Sequence, residues 1–189
     1  MIRLGIATLA LVLLGFALPT ATDGQTRFGL AAGVAVPSGD FGDATNTGVS
    51  IEGTVEGRPG EMPFAIRGDI FLARFGLDEG ETGESGSIRA FGLSLNALFQ
   101  LLGAGVTPYL LMGPSLTNLD VAIDGTDDEA EVGTNPGVNL GGGVKFLLSG
   151  YLGRLEVRWS QVFSKDDDVD FPNARWVTVT AGVLFGGRQ

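Results

Sequence analysis

Hydrophobic residues alternate with small or polar residues in eight separate stretches of this chain. The stretch 176–185 (WVTVTAGVLF) shows the pattern clearly, because Val177, Val179 and Val183 fall on one face of an extended backbone and the threonines between them fall on the other. None of the stretches is a convincing amphipathic helix. We therefore predict an all-β chain. Its eight strands are expected near 27–36, 49–57, 64–75, 88–100, 108–119, 138–146, 154–163 and 176–185.

The connections between the predicted strands alternate between long and short. Connections one, three, five and seven are long and contain 2, 4, 6 and 4 acidic residues, whereas connections two, four and six are short. Successive connections of an antiparallel meander lie at opposite ends of the sheet. One end should therefore carry all the acidic loops, which is the asymmetry of an outer-membrane barrel with short periplasmic turns and long external loops.

The two faces of each strand predict a closed barrel in lipid. Four or five apolar side chains per strand match a tilted strand of about 9–11 residues that crosses the hydrocarbon core. Lipid tolerates no free strand edge, so the sheet should close into an eight-stranded antiparallel up-and-down transmembrane β-barrel. The polar face then points inward and fills the lumen, where charges of opposite sign are expected to pair because an unpaired one is costly. The predicted inward charges are Glu52, Glu56, Arg67, Asp69, Lys145, Arg154, Glu156 and Arg158.

Two smaller features refine this picture. Several aromatic residues fall on the outward faces, where they should contact lipid or form an interfacial girdle. They are Phe91, Phe99, Trp159 and Phe185. Pro114 lies inside the fifth predicted strand, and it predicts a bulge or a locally broken ladder because proline has no backbone N–H to donate.

The first 21 residues have the layout of a secretory signal peptide. Arg3 is followed by an apolar run, and small residues follow as far as Ala21. The alternative, a transmembrane anchor, needs about 20 apolar residues, and this run is shorter. We predict a cleavable signal peptide over 1–21 and a barrel domain over 22–189.

Composition excludes several classes of function. The 31 glycines disfavour a helical fold. Without residues 1–21 the chain has 11 basic and 22 acidic residues and a net charge of −11, so nucleic acid is not an expected partner. The chain has no Cys, and therefore no disulfide or lipoprotein anchor. It also has no His, the commonest general base and transition-metal ligand, and we predict a non-enzymatic protein without a cofactor.

Two acidic connections are weak candidates for a divalent cation site, because carboxylate oxygens are ligands for such ions. Their spacing lacks the glycine and the terminal glutamate of an EF-hand loop. Solvated, mutually repelling loops are the simpler interpretation. The candidate ligands are Asp124, Asp127, Asp128, Asp166, Asp167 and Asp168.

Five segments resemble the small outer-membrane β-barrel family, the single-domain relatives of the OmpA and OmpX barrels. They are GLAAGVAVPSGDFG (29–42), TPYLLMGPS (107–115), LGGGVKF (140–146), LEVRWSQVF (155–163) and the closing VTVTAGVLF. The resemblance implies an outer-membrane location, contact with outer-membrane lipid and insertion by the barrel-assembly machinery. Family members usually end at an aromatic residue, whereas here GGRQ follows Phe185.

Three functions agree with these features to different degrees. The leading hypothesis is an outer-membrane barrel with a structural or surface-interaction role, whose external loops meet solvent, lipopolysaccharide-bound cations or other cells. The second is a narrow porin-like or OmpW-like channel for small or hydrophobic solutes. The third, a soluble lipocalin-like binder, would turn its apolar faces inward.

Overall fold

The fold is a closed antiparallel barrel, as the sequence predicts. The computed structural model describes residues 26–77, 86–101, 105–123, 129–148, 150–163 and 173–186. Each strand pairs with the next along the chain, and the first also pairs with the last, so the sheet has no free edge along its paired length. The strands are β1 Arg27–Ser38, β2 Gly48–Gly57, β3 Ala65–Gly76, β4 Gly86–Gln100, β5 Val106–Ile123, β6 Glu129–Leu148, β7 Tyr151–Val162 and β8 Arg175–Phe185.

The outer wall of the barrel is apolar, and its interior is polar except at the end next to the long connections. On β7, Leu155 and Val157 are 49% and 51% exposed, whereas Arg154 and Glu156 between and beside them are 1% and 3% exposed. Val179, the residue opposite Val157 on β8, is also exposed. Because side chains alternate between the two faces of a strand, the orientation of one residue fixes whether every other residue of that strand points outward or into the lumen. A lipocalin-like orientation, with apolar residues inside, is therefore wrong.

The hairpin formed by β5 and β6 is longer than predicted. The acidic stretch 120–136, expected as a loop, continues both strands, with Asp120 opposite Glu131 and Val121 opposite Ala130. Acidic composition indicated a loop, but an acidic residue still has a backbone N–H and C=O to pair, and the ladder between the two strands continues through the acidic residues. The hairpin therefore extends the barrel at the end that carries the long connections.

Pro114 locally breaks the ladder between β4 and β5, as predicted. The paired residues pass from Ser94 and Ser115 directly to Ala97 and Met112, in the same register on both sides. A change of register occurs elsewhere, between Asn118 and Asp120 where β5 meets β6. Proline thus removes pairing without shifting the strands.

A short helix, α1 (Asp40–Ala44), follows β1 where the sequence predicted only loop. Gly39 precedes it with a φ of 64°, a backbone conformation that favours glycine. The helix places Phe41, 1% exposed, against Phe75 and Trp176, with ring centroids 5.1 and 6.2 Å away. Among the described residues, no helix combines the length and hydrophobicity needed to cross a membrane.

These aromatic rings belong to an apolar cluster inside the barrel, which we call the mouth cluster. Its members come from α1, from the residue that precedes β8 and from the halves of the strands next to the long connections, so the cluster fills that end of the lumen. They are Ala35, Phe41, Phe71, Ala73, Phe75, Ile88, Ala90, Leu119, Val162, Ala174 and Trp176.

The charged interior as candidate functional site

The structure places all eight predicted inward charges in the lumen, each of them buried. Four are cationic and four are anionic. Six of them meet in the middle of the barrel, and we call this group the ionic cluster. Its members are Glu52, Arg67, Asp69, Arg154, Glu156 and Arg158. The other two, Glu56 and Lys145, form an ion pair nearer the end with the short turns.

Glu156 is the centre of the ionic cluster. Its carboxylate accepts hydrogen bonds from both terminal nitrogens of Arg67, at 2.6 and 2.9 Å. It also accepts hydrogen bonds from Arg158 (2.6 Å) and from the hydroxyl of Tyr109 (2.6 Å). Arg67 lies on β3 and Glu156 on β7, which stand opposite each other in an eight-stranded ring. This bidentate pair therefore crosses the lumen.

Arg154 and Arg158 connect β7 to β2 in the same way. Arg154 donates to Glu52 at 2.6 Å, and Arg158 lies 2.8 Å from the other oxygen of Glu52. Arg158 also lies 3.3 Å from Asp69. Each of these guanidiniums contacts more than one carboxylate, so the cluster is a network and its members are coupled.

Neutral side chains complete the coordination of Asp69. The carboxylate accepts hydrogen bonds from Thr54 and Asn96, both at 2.8 Å, and from Ser94 at 3.3 Å. It also accepts one from Arg67 Nε at 3.1 Å. The sequence placed these neutral residues on the polar face but did not identify them as partners of a carboxylate. The sequence feature that indicated their inward orientation was a small or polar residue at every second position of β2 and β4.

The second ion pair lies beside a small polar pocket at the short-turn end. Lys145 donates to Glu56, and its ammonium lies 5.2 Å from the centroid of the Tyr109 ring. The pocket has a volume of about 110 Å³. Its lining consists of Arg27, Glu56, Gly57, Arg58, Ala65 and Gln100. Within the described part of the chain, Glu56 Oε2 has no hydrogen-bond partner.

Glycines on the inner wall make room for the larger side chains. A Cβ on Gly143 would lie 2.6 Å from the Tyr109 hydroxyl, and one on Gly92 would collide with the ring of Phe71. Neither aromatic side chain could then keep its position. The inner wall is thus shaped so that Tyr109 can lie across the lumen and reach Glu156.

The arrangement neutralises its own charge. Each of the four inward carboxylates contacts at least one Arg or Lys, and each cation contacts at least one carboxylate. Breaking a buried pair leaves an uncompensated charge, whereas the complete network leaves none. The interior is therefore built to hold opposite strands together.

The predicted cation ligands lie outside the described residues. All six of these aspartates fall within 124–128 or 164–172, so a cation site there remains a prediction. Across the part of the chain that the structure describes, no group of three or more His, Cys, Asp or Glu is placed to hold a metal ion.

An apolar outer wall, a closed ladder and a self-paired polar interior together define a transmembrane β-barrel, because lipid accepts only strands whose backbone groups are all paired. The chain belongs to the outer membrane protein beta-barrel domain family, whose sequence profile matches residues 8–185. It is located in the outer membrane. No curated protein sequence matches the chain.

Solved outer-membrane barrels share this fold. Neisserial surface protein A aligns with a TM-score of 0.64 and 19% identity, over 84% of this chain and 95% of that chain. A major outer membrane protein from Thermus thermophilus aligns with a TM-score of 0.54 and 15% identity, over 85% and 98%. Ail, the attachment invasion locus protein of Yersinia pestis, gives 0.51 and 14%, over 87% and 100%. Identities this low establish the fold alone.

Proposed function

We propose that this protein is a closed, non-enzymatic outer-membrane barrel with a structural or surface-interaction role. The observation that carries the proposal is the bidentate Arg67–Glu156 pair, which joins β3 to β7 across the lumen. A solute would have to separate these two charges in a buried, low-dielectric site, which is costly. The absence of His from the chain agrees with a role without acid–base chemistry.

The mouth cluster, at the end of the lumen next to the long connections, supports the same proposal. Phe41, Phe75 and Trp176 are each at most 1% exposed and pack edge-on or tilted against one another. Water and ions that enter from the end with the long connections would have to pass this apolar layer before they reached the ionic cluster. We assign the surface-interaction part of the role to the long acidic connections. Residues 22–189 have a net charge of −11, which makes nucleic acid an unsuitable partner.

Outer-membrane lipid and, during insertion, the barrel-assembly machinery are the partners that this proposal includes. The apolar wall formed by residues such as Leu30, Ile51 and Leu140, each more than half exposed, supports contact with lipid. A signal peptide over 1–21 would deliver the chain across the inner membrane, and it belongs to the proposal on sequence grounds.

A narrow channel is the second candidate, because polar side chains line the lumen from the ionic cluster to the pocket at Arg27 and Gln100. Single-channel recording in planar bilayers separates the two. We expect the wild-type protein to give no regular conductance steps, because the ionic cluster and the mouth cluster both obstruct the lumen.

The recording should include the double variant R67Q/E156Q and the single variant Phe41→Ala, each checked for folding by heat-modifiable gel mobility. Regular wild-type steps that disappear in R67Q/E156Q would support the channel and contradict the closed barrel. A silent wild type that reconstitutes as a folded barrel supports the closed barrel.

A further inference from the structure

Two arginines face outward beside each other at the edge of the apolar wall. Arg74 on β3 and Arg89 on β4 are directly opposite in the antiparallel register, and both are exposed. The next outward residues toward the middle of the barrel are Leu72 on β3 and Phe91 on β4, which also pair. The arginine pair therefore lies one row beyond the outward apolar residues of these two strands, at the end with the long connections.

The two guanidiniums repel each other, because like charges directly opposite on neighbouring strands destabilise a sheet. Every cation of the lumen set pairs with a carboxylate, but among the residues that the structure describes neither Arg74 nor Arg89 forms an ion pair. Asp120, the residue opposite Arg89 on β5, accepts a hydrogen bond from Asn118 (2.8 Å). An anion that binds between the two guanidiniums would offset the repulsion between them.

The position of the pair indicates which anion this is. Two residues along a strand correspond to about 7 Å, so the guanidiniums lie just past the row of Leu72 and Phe91, where hydrocarbon gives way to headgroups. The end with the long connections is the external end of such a barrel, and the nearby leaflet is therefore the outer one. Arginine binds phosphate through two parallel hydrogen bonds, which suits a phosphate at this level.

We propose that Arg74 and Arg89 form a binding site for the phosphate groups of a phosphorylated glycolipid of the outer leaflet. The site goes beyond the closed-barrel role. It rests on the outer-membrane location of the chain and not on whether the lumen conducts. A bound lipid phosphate neutralises the pair and attaches the β3–β4 face to the surrounding leaflet.

Native mass spectrometry of the folded protein in detergent micelles tests the site, with bisphosphorylated lipid A as the probe. We expect adducts on the wild-type protein. The double variant R74Q/R89Q should bind lipid A about twenty-fivefold more weakly, because each arginine near a charged lipid surface contributes about fivefold. Lipid A from which both phosphates have been removed should bind the wild type as weakly as intact lipid A binds the variant.

Arg58→Gln is the matched control. Arg58 is also exposed, but it lies at the short-turn end and donates to Gln100, so its loss should leave lipid A binding unchanged. Equal lipid A binding by wild type and R74Q/R89Q would overturn the proposal. A lower thermal stability of R74Q/R89Q with unchanged lipid A binding would also overturn it, because the two arginines would then have an intramolecular role. Heat-modifiable mobility of each variant verifies that it is folded.

Discussion

Replacing Glu156 with glutamine should lower the free energy of unfolding of the barrel by about 3–5 kcal/mol, the range for removal of one partner from a buried ion pair. The carboxylate accepts hydrogen bonds from Arg67, Arg158 and Tyr109, and a neutral amide cannot compensate two buried guanidiniums. Urea titration of the protein reconstituted in lipid vesicles, followed by the heat-modifiable gel shift, measures the change.

Glu61→Gln controls for the loss of one acidic residue. Glu61 lies in the exposed turn between β2 and β3, and its replacement should change stability by less than about 0.5 kcal/mol. The double variant R67Q/E156Q should be less destabilised than the two single variants together, because it removes one charge of each sign from the cluster. If Glu156→Gln and Glu61→Gln were equally stable, the network would not hold the strands together.

An arginine in the middle of the outer wall should lower the free energy of unfolding nearly as much as Glu156→Gln does. Val157 is near the centre of β7, is 51% exposed and faces outward beside Val179. On a lipid-facing wall Val157→Arg should cost about 2–4 kcal/mol at the bilayer midplane. On a surface exposed to water the same change would be within about 0.5 kcal/mol of neutral. Urea titration in vesicles gives the difference.

Tyr151→Arg on the same strand provides the comparison. Tyr151 is 58% exposed but lies at the end of β7, near the short turns. Near the interface an arginine should cost only about 0–1 kcal/mol. Equal effects at positions 151 and 157 would contradict a wall that spans the hydrocarbon core, whereas a difference that follows depth supports it.

The sequence was sufficient to predict which way each strand faces. A period of two residues leaves only two orientations for a whole strand. A strand face that carries charges such as Arg67 or Glu156 is untenable against lipid, and this excluded one of the two orientations. The eight strands and the buried position of the charges followed from this pattern without any information on contacts.

The pairs within the lumen could not be predicted in the same way. Arg67 and Glu156 are 89 residues apart, and they meet because barrel closure brings β3 and β7 face to face across the lumen. The relative height of two opposite strands depends on the stagger accumulated around the ring, to which every hairpin contributes. The alternation of residues within one strand does not indicate this total stagger, so it cannot predict which charges meet across the lumen.

The mouth cluster and the long hairpin were missed for a related reason. Phe41 lies in a five-residue helix, too short for a helical period to be visible, and it is buried only because the barrel offers Phe75 and Trp176 at that height. Likewise, the acidic composition of 120–136 indicated a loop, although the pairing of β5 with β6 continues through much of it. In both places tertiary contacts outweighed local composition.

The two tryptophans of the chain provide the most direct test of the central claim, that apolar residues face lipid and charged residues fill the lumen. Trp159 faces outward between Leu140 and Val177, whereas Trp176 is 1% exposed inside the barrel. The variant W176F leaves only Trp159, and W159F leaves only Trp176. In vesicles containing brominated phospholipid, the account predicts strong quenching of Trp159 fluorescence and little quenching of Trp176. Strong quenching of Trp176 with little effect on Trp159 would contradict it.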